Sequence, residues 1–210
     1  MKPSSVLTKE TNKIPGVPKI FTPKYLLDDF EPLSLTEIES KACKELIRRT
    51  KQDEKEHGTA LQHGAIITKD GNEVYYTSGL SDEIEIPKEI AQVADAENAN
   101  LTLLHSHPAN LPPSEADLKQ LIRVGVNTII VVGKDGLIFK VENTSNYRPD
   151  EKEWENDIIE IDKESVKDLF IDEKHMLLDV EDRKFLRQHN LVFNVVREYK
   201  WKLEGGVING

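Results

Sequence analysis

The sequence predicts an α/β fold, a mixed β-sheet flanked by helices, and three observations carry that reading. Short apolar runs of strand length recur at Leu101-Thr102-Leu103-Leu104, Thr128-Ile129-Ile130-Val131-Val132 and Leu137-Ile138-Phe139-Lys140-Val141, bounded by turn residues. Amphipathic stretches opening on helix caps lie before and between them, at Ser34 and Ser114. The order that results, helix, strands, strand, helix, strands, suits layers packed on one sheet.

In chain order, residues 1–32 hold Pro3, Pro15, Pro18, Pro23 and Pro32, and so read as an extended arm held through Ile20, Phe21, Tyr25 and Leu26. Ser34-Leu35-Thr36-Glu37 forms a capping box, with Leu33 and Ile38 as its hydrophobic staple. The helix behind it puts Ile38, Ala42 and Leu46 on one face and runs to about residue 55. Strands are expected at 62–68 and 72–78 around the hairpin signal Lys69-Asp70-Gly71, then a helix at 87–99. A strand from Leu101 must stop at Pro108, which cannot donate to a ladder. The Ser114 helix carries Leu118, Leu121 and Ile122 and closes on Gly125 as its C′ residue. The last strand pair turns at Gly133-Lys134-Asp135-Gly136. Beyond it, Tyr147 to Asp157 reads as a polar linker or surface loop. Helices follow at 163–170 and 179–189, and Val192 to Tyr199 reads as a final strand. Trp154 and Trp201 are expected as core aromatics of this region. The chain divides on this reading into an arm (1–32), a central domain (33–145) and an extension packed on or appended to it (146–210).

Composition narrows the function classes. A formal net charge of −10 over 210 residues argues against a nucleic-acid surface. The single Cys43 rules out an intramolecular disulfide and fits a reducing compartment. Its place on a helix suggests a half-buried packing role. No apolar run reaches the length of a membrane span, and Met-Lys-Pro-Ser-Ser lacks a signal-peptide core. The simplest location is cytoplasmic, with no membrane partner.

The chemistry concentrates in His105-Ser106-His107-Pro108 and the following Ser114-Glu115-Ala116-Asp117. Alternation along a strand sends both imidazoles to one face and Ser106 to the other. Ser114 as N-cap places Asp117 in the first helical turn, facing back to the strand end. Two imidazoles and a carboxylate suit zinc and leave a fourth position for water. Each half alone has an ordinary reading, since strand-end histidines are common and Ser-x-x-Asp is itself a capping box. Their joint occurrence within about two dozen residues favours a catalytic metal site.

These residues resemble the signature of the JAMM (MPN+) metalloprotease family, as found in prokaryotic or phage-borne members: His-x-His-Pro, a loop, then Ser-x-x-Asp. The resemblance covers roughly residues 54–142. It implies a JAB/MPN-like fold with cytidine-deaminase-like layering. It makes His105, His107 and Asp117 the ligands of one zinc, Ser114 an oxyanion partner, and an upstream glutamate the holder of the attacking water. The usual family spacing has seven residues between the second histidine and the serine. Here there are six, Pro108 to Pro113, a deletion that a surface loop tolerates.

In the family the glutamate sits where a helix gives way to a strand, commonly before a glycine. Glu56-His57-Gly58 fits that setting, so Glu56 is the expected general base and Glu54 the second choice. Glu73, Glu83, Glu85 and Glu97 read as solvated charges, and His57 and His63 as polar surface residues or neighbours of the site without a motif role. The activity implied is hydrolysis of a peptide or isopeptide bond in a protein substrate, with ubiquitin or a ubiquitin-like modifier as the implied class. Two rivals are a non-catalytic scaffold of the same fold and a metal-dependent phosphoesterase or nuclease. The scaffold would be expected to have lost ligands, and the nuclease to show more carboxylates and a basic track.

Overall fold

The computed structural model describes residues 30–77, 88–96, 99–145, 147–170 and 180–208. The anticipated anchors Ile20, Phe21, Tyr25 and Leu26 lie outside the described residues, as do Glu83, Glu85 and Glu97. The elements are β1 (Glu31–Pro32), α1 (Glu37–His57), β2 (His63–Ile67), β3 (Glu73–Thr77), α2 (Lys88–Ala94), β4 (Leu101–His107), α3 (Glu115–Lys119), β5 (Val126–Gly133), β6 (Leu137–Glu142), α4 (Glu151–Phe170), α5 (Val180–Tyr199) and β7 (Lys202–Val207). The seven strands form one mixed sheet in the order β1-β7-β6-β5-β4-β2-β3. The β4–β5 and β1–β7 pairs are parallel and the others antiparallel. The expected α/β class is therefore the one observed.

The sheet separates two cores. On one face α1 buries Ala42, Cys43, Leu46 and Ile47 against Ala65, Leu104, Ile130 and Ile138. On the other, Ile66, Leu103, Ile129 and Phe139 meet Leu118 of α3 and Leu121 just after it, Trp154, Ile158 and Ile161 of α4, and Val192 and Val195 of α5. Alternation along each strand assigns the two sets. Cys43 is wholly buried rather than half-buried, and burial pushes its thiol up to about 12, which leaves it a packing group.

Several local expectations shift. The N-cap of α1 is Thr36, not Ser34: Glu39 N–H donates to Thr36 Oγ1 at 3.2 Å and Thr36 N–H to Glu39 Oε2 at 2.8 Å. Both registers satisfy the capping-box pattern. Tertiary partners select the second, because Ser34 N–H donates to Glu204 at 2.8 Å and Lys140 reaches Glu39 at 3.0 Å. With Thr36 as N-cap, Leu33 and Ile38 no longer hold the staple positions, and Ile38 is 36% exposed with its Cδ1 near Gly71. Gly125 is not a helix cap. It packs so closely that a Cβ there would sit 2.7 Å from the Ala94 carbonyl oxygen.

The C-terminal third departs most. The expected loop at 147–157 gives way to α4, whose buried Trp154, Ile158 and Ile161 repeat at helical spacing. The expected strand at 192–199 is the second half of α5, with Val192, Val195 and Tyr199 turned inward. A strand does follow, but it is β7, and it lies inside the sheet between β1 and β6. The described residues of 146–210 thus share the sheet and core of 101–141. Trp154 and Trp201 are both buried and stack at 6.2 Å. No helix among the described residues is long and apolar enough to cross a membrane.

Candidate metal centre

The site stands where β4 ends beside its parallel neighbour β5. His105 and His107 pair with Val131 and Gly133 of β5 and continue the Leu103 face, toward α3. Ser106 between them points to the other face, where its Oγ accepts the His63 N–H at 3.0 Å. After Pro108 the chain turns through Asn110, held at φ 55, a left-handed conformation that asparagine tolerates. Asn110 N–H donates to the His107 carbonyl at 2.9 Å. Its side chain donates to Asp135 Oδ2 at 2.8 Å and accepts the Asp135 N–H at 3.0 Å. Gly133 leaves the room for this clamp, since any Cβ there would run into Asn110. The loop is thereby fastened to the β5–β6 turn before it reaches Ser114.

Ser114 caps α3 as expected. Its N–H and its hydroxyl donate to Asp117 Oδ2 at 2.6 and 2.7 Å, and the Asp117 N–H donates back to Ser114 Oγ at 3.3 Å. Asp117 is thereby turned toward the strand end, with Oδ1 3.0 Å from His105 Nε2 and Oδ2 3.4 Å from His107 Nε2. The two Nε2 atoms are 3.0 Å apart. All three side chains are buried or nearly so, and their ligand atoms lie within 4.8 Å of one another. Among the described residues this is the group of His, Cys, Asp and Glu side chains that can hold a metal ion.

The donor set fits a cation. His107 Nδ1 lies 2.9 Å from the Leu111 carbonyl oxygen, which only accepts, so the neutral ring carries its proton there and turns the Nε2 lone pair inward. That lone pair meets the His105 nitrogen and Asp117 Oδ2, while Oδ1 lies against His105, a convergence of acceptors suited to a positive ion. Separations of 3.0–3.4 Å are close to the roughly 3.3 Å edge of a tetrahedron with zinc-like bond lengths. Burial works to raise the Asp117 carboxyl, but with the two rings protonated, in place of a bound cation, the charge and hydrogen bonds of His105 and His107 outweigh it. They hold Asp117 well below the usual carboxylate range.

The structure brings together His105, His107, Asp117 and Ser114, and does not bring Glu56 to them. Glu56 ends α1 with its side chain 51% exposed and accepts from Gln52 at 2.8 Å. Glu54 pairs with Lys134 at 2.7 Å. The body of α1 packs on the opposite face of the sheet. Sequence reasoning missed Asn110, whose signal was an asparagine just after a proline break. It also missed Arg148, which donates to the carbonyls of Leu121, Arg123 and Val126 and to Asn127 Oδ1. That guanidinium ties down the connection from α3 to β5. His63 is not a surface group. It is buried, with Nε2 2.6 Å from Asp53 Oδ2.

Compared with known proteins, the chain matches no family model, no curated protein and no solved structure.

Proposed function

We propose that the chain is a zinc-dependent metallopeptidase of JAMM type, hydrolysing a peptide or isopeptide bond in a protein substrate, with ubiquitin-like conjugates as the substrate class. The observation that carries this is the convergence of His105, His107 and Asp117, with the His107 ring locked through Leu111. When bound, zinc supplies a Lewis acid that polarises a carbonyl and lowers the pKa of water toward neutrality. The chain's own residues do the rest. Asp117 offsets positive charge, the Leu111 carbonyl fixes the His107 tautomer, and the Asn110 clamp keeps the loop from spreading. The Ser114 hydroxyl, now donating to Asp117, stabilises an oxyanion only by exchanging that bond for one to the substrate.

A second reading has one observation in its favour. Among the described residues Asp117 is the carboxylate that joins the two histidines, and Glu56 is turned to solvent. A metal-stabilised interaction protein of the same fold needs no separate base. The test is metal analysis of the purified chain, followed by incubation with a ubiquitin-like fusion and with nucleic acid, each with and without chelator. Chelator-sensitive cleavage of the fusion is expected. One bound metal with neither substrate cleaved supports the interaction protein, and chelator-sensitive nuclease activity overturns the peptidase.

A further inference from the structure

The two oxygens of Asp117 are not equivalent. Oδ2 accepts the Ser114 N–H at 2.6 Å and the Ser114 hydroxyl at 2.7 Å. The direction of the second bond is fixed, because Ser114 Oγ already accepts the Asp117 N–H at 3.3 Å and an ionised carboxylate only accepts. A carboxylate has about four lone-pair sites, shared between its two oxygens. Ser114 therefore takes up the hydrogen-bonding capacity of Oδ2, which stays 3.4 Å from His107 Nε2. Oδ1 accepts neither of these bonds and faces His105 Nε2 at 3.0 Å. Resting on the metal reading above, we propose that Ser114 is a positioning residue for the metal. It occupies Oδ2, so that Asp117 binds through Oδ1 alone.

Single-oxygen binding sets the number of open positions. Two imidazole nitrogens and one carboxylate oxygen leave a four-coordinate zinc one place for a water or a substrate oxygen. A carboxylate bound through both oxygens would fill or crowd that place. The assignment also puts the two possible tasks of Ser114 in competition. A hydroxyl that left Oδ2 to meet a substrate oxygen would free Oδ2 for the metal. The same bonds cap α3, so a purely structural role must be told apart. The chain supplies its own control, since α1 begins with a capping box of the same kind, Thr36 with Glu39, anchored elsewhere on the sheet by Lys140.

The experiment loads the full-length protein with zinc or cobalt(II). Zinc affinity is read by competition with a chromophoric chelator, and geometry from the cobalt visible bands, which are intense for four-coordinate and weak for five- or six-coordinate ions. The wild-type bands should be intense. Ser114→Ala keeps the backbone bond to Oδ2 but loses the hydroxyl. It should weaken zinc roughly ten- to a hundredfold, the scale on which partners of metal ligands act, and should dim the cobalt bands as Oδ2 joins the metal. Ser114→Thr should restore both, and Thr36→Ala should change neither. Wild-type affinity and bands in a folded Ser114→Ala protein overturn the proposal, and so does an equal loss in Thr36→Ala. If Ser114→Ala does not fold, as judged by thermal melting, the wild-type spectrum decides: intense bands uphold the single-oxygen ligand and weak bands overturn it. A wild-type chain that binds neither ion sinks the metallopeptidase reading and this proposal together. Metal binding that ignores Ser114→Ala sinks the proposal alone.

Discussion

Two histidine sites lie on opposite faces of the same strand pair, and they differ in what satisfies the imidazole. On the α1 face, buried His63 meets one carboxylate, Asp53, at 2.6 Å, and its backbone N–H is taken by Ser106. That contact ties α1 to β2. On the α3 face, His105 and His107 bring their Nε2 atoms within 3.0 Å of each other and within 3.4 Å of Asp117. There the acceptors outnumber the donors, because the His107 proton is committed to Leu111. A buried histidine beside a carboxylate is a structural link when the two complete each other. It is a cation site when acceptors converge. One residue of strand alternation separates the two outcomes.

The largest effect should come from the triad. His107→Ala or Asp117→Ala leaves two protein ligands, so metal retained after desalting should fall from about one equivalent to none. Stoichiometric metal in the folded His107→Ala protein would erase the distinction between the faces. His63→Ala tests the other side. Leaving Asp53 without this partner should lower unfolding free energy by about 3 kcal/mol, the low end for broken buried pairs because Asp53 is partly exposed. Its metal content should stay at the wild-type level, and loss of metal with the fold intact would break the comparison.

Smaller effects should sharpen it. Asn110→Ala removes two hydrogen bonds and a left-handed residue's advantage at the loop. Chemical denaturation should show a loss of roughly 1–3 kcal/mol, with metal affinity reduced about tenfold as His107 loosens. A stability loss without weaker metal binding would show that the clamp serves the fold alone. Smallest is Glu56→Gln, at an exposed helix end. Metal content, melting temperature and any hydrolysis should match wild type, within about 0.5 kcal/mol of stability. A dead Glu56→Gln enzyme that still holds its metal would return Glu56 to the site as general base.

The triad was legible because every step that builds it is local. A two-residue strand period, a proline stop and an N-cap with its partner three residues on all act within a few residues, and each has a residue-type signature. The same holds for the strands at 101–107 and 126–142, whose apolar runs announce burial on both sides. Glu56 was misleading because its setting at a helix end was local, whereas which face of the sheet α1 covers was not. The C-terminal third failed for a related reason. Val192, Val195, Val196 and Tyr199 have β-branched or aromatic side chains that suit a strand, yet their three- and four-residue spacing suits α5, and packing on the sheet decides for the helix.

By itself, then, the sequence determined the α/β class, the strands around the site, and the three side chains that converge at the end of β4. Only the tertiary structure decided that Thr36 rather than Ser34 caps α1, since Glu204 and Lys140 arrive from distant strands to choose. It alone made a strand of Lys202–Val207, a run that two glycines would argue against. Phe30 and Leu33 press onto Gly205 and Gly206 so closely that a Cβ would sit 2.6 and 2.8 Å from them. Those glycines are explained by the neighbours they admit, and neighbours more than a hundred residues away leave no mark on local pattern.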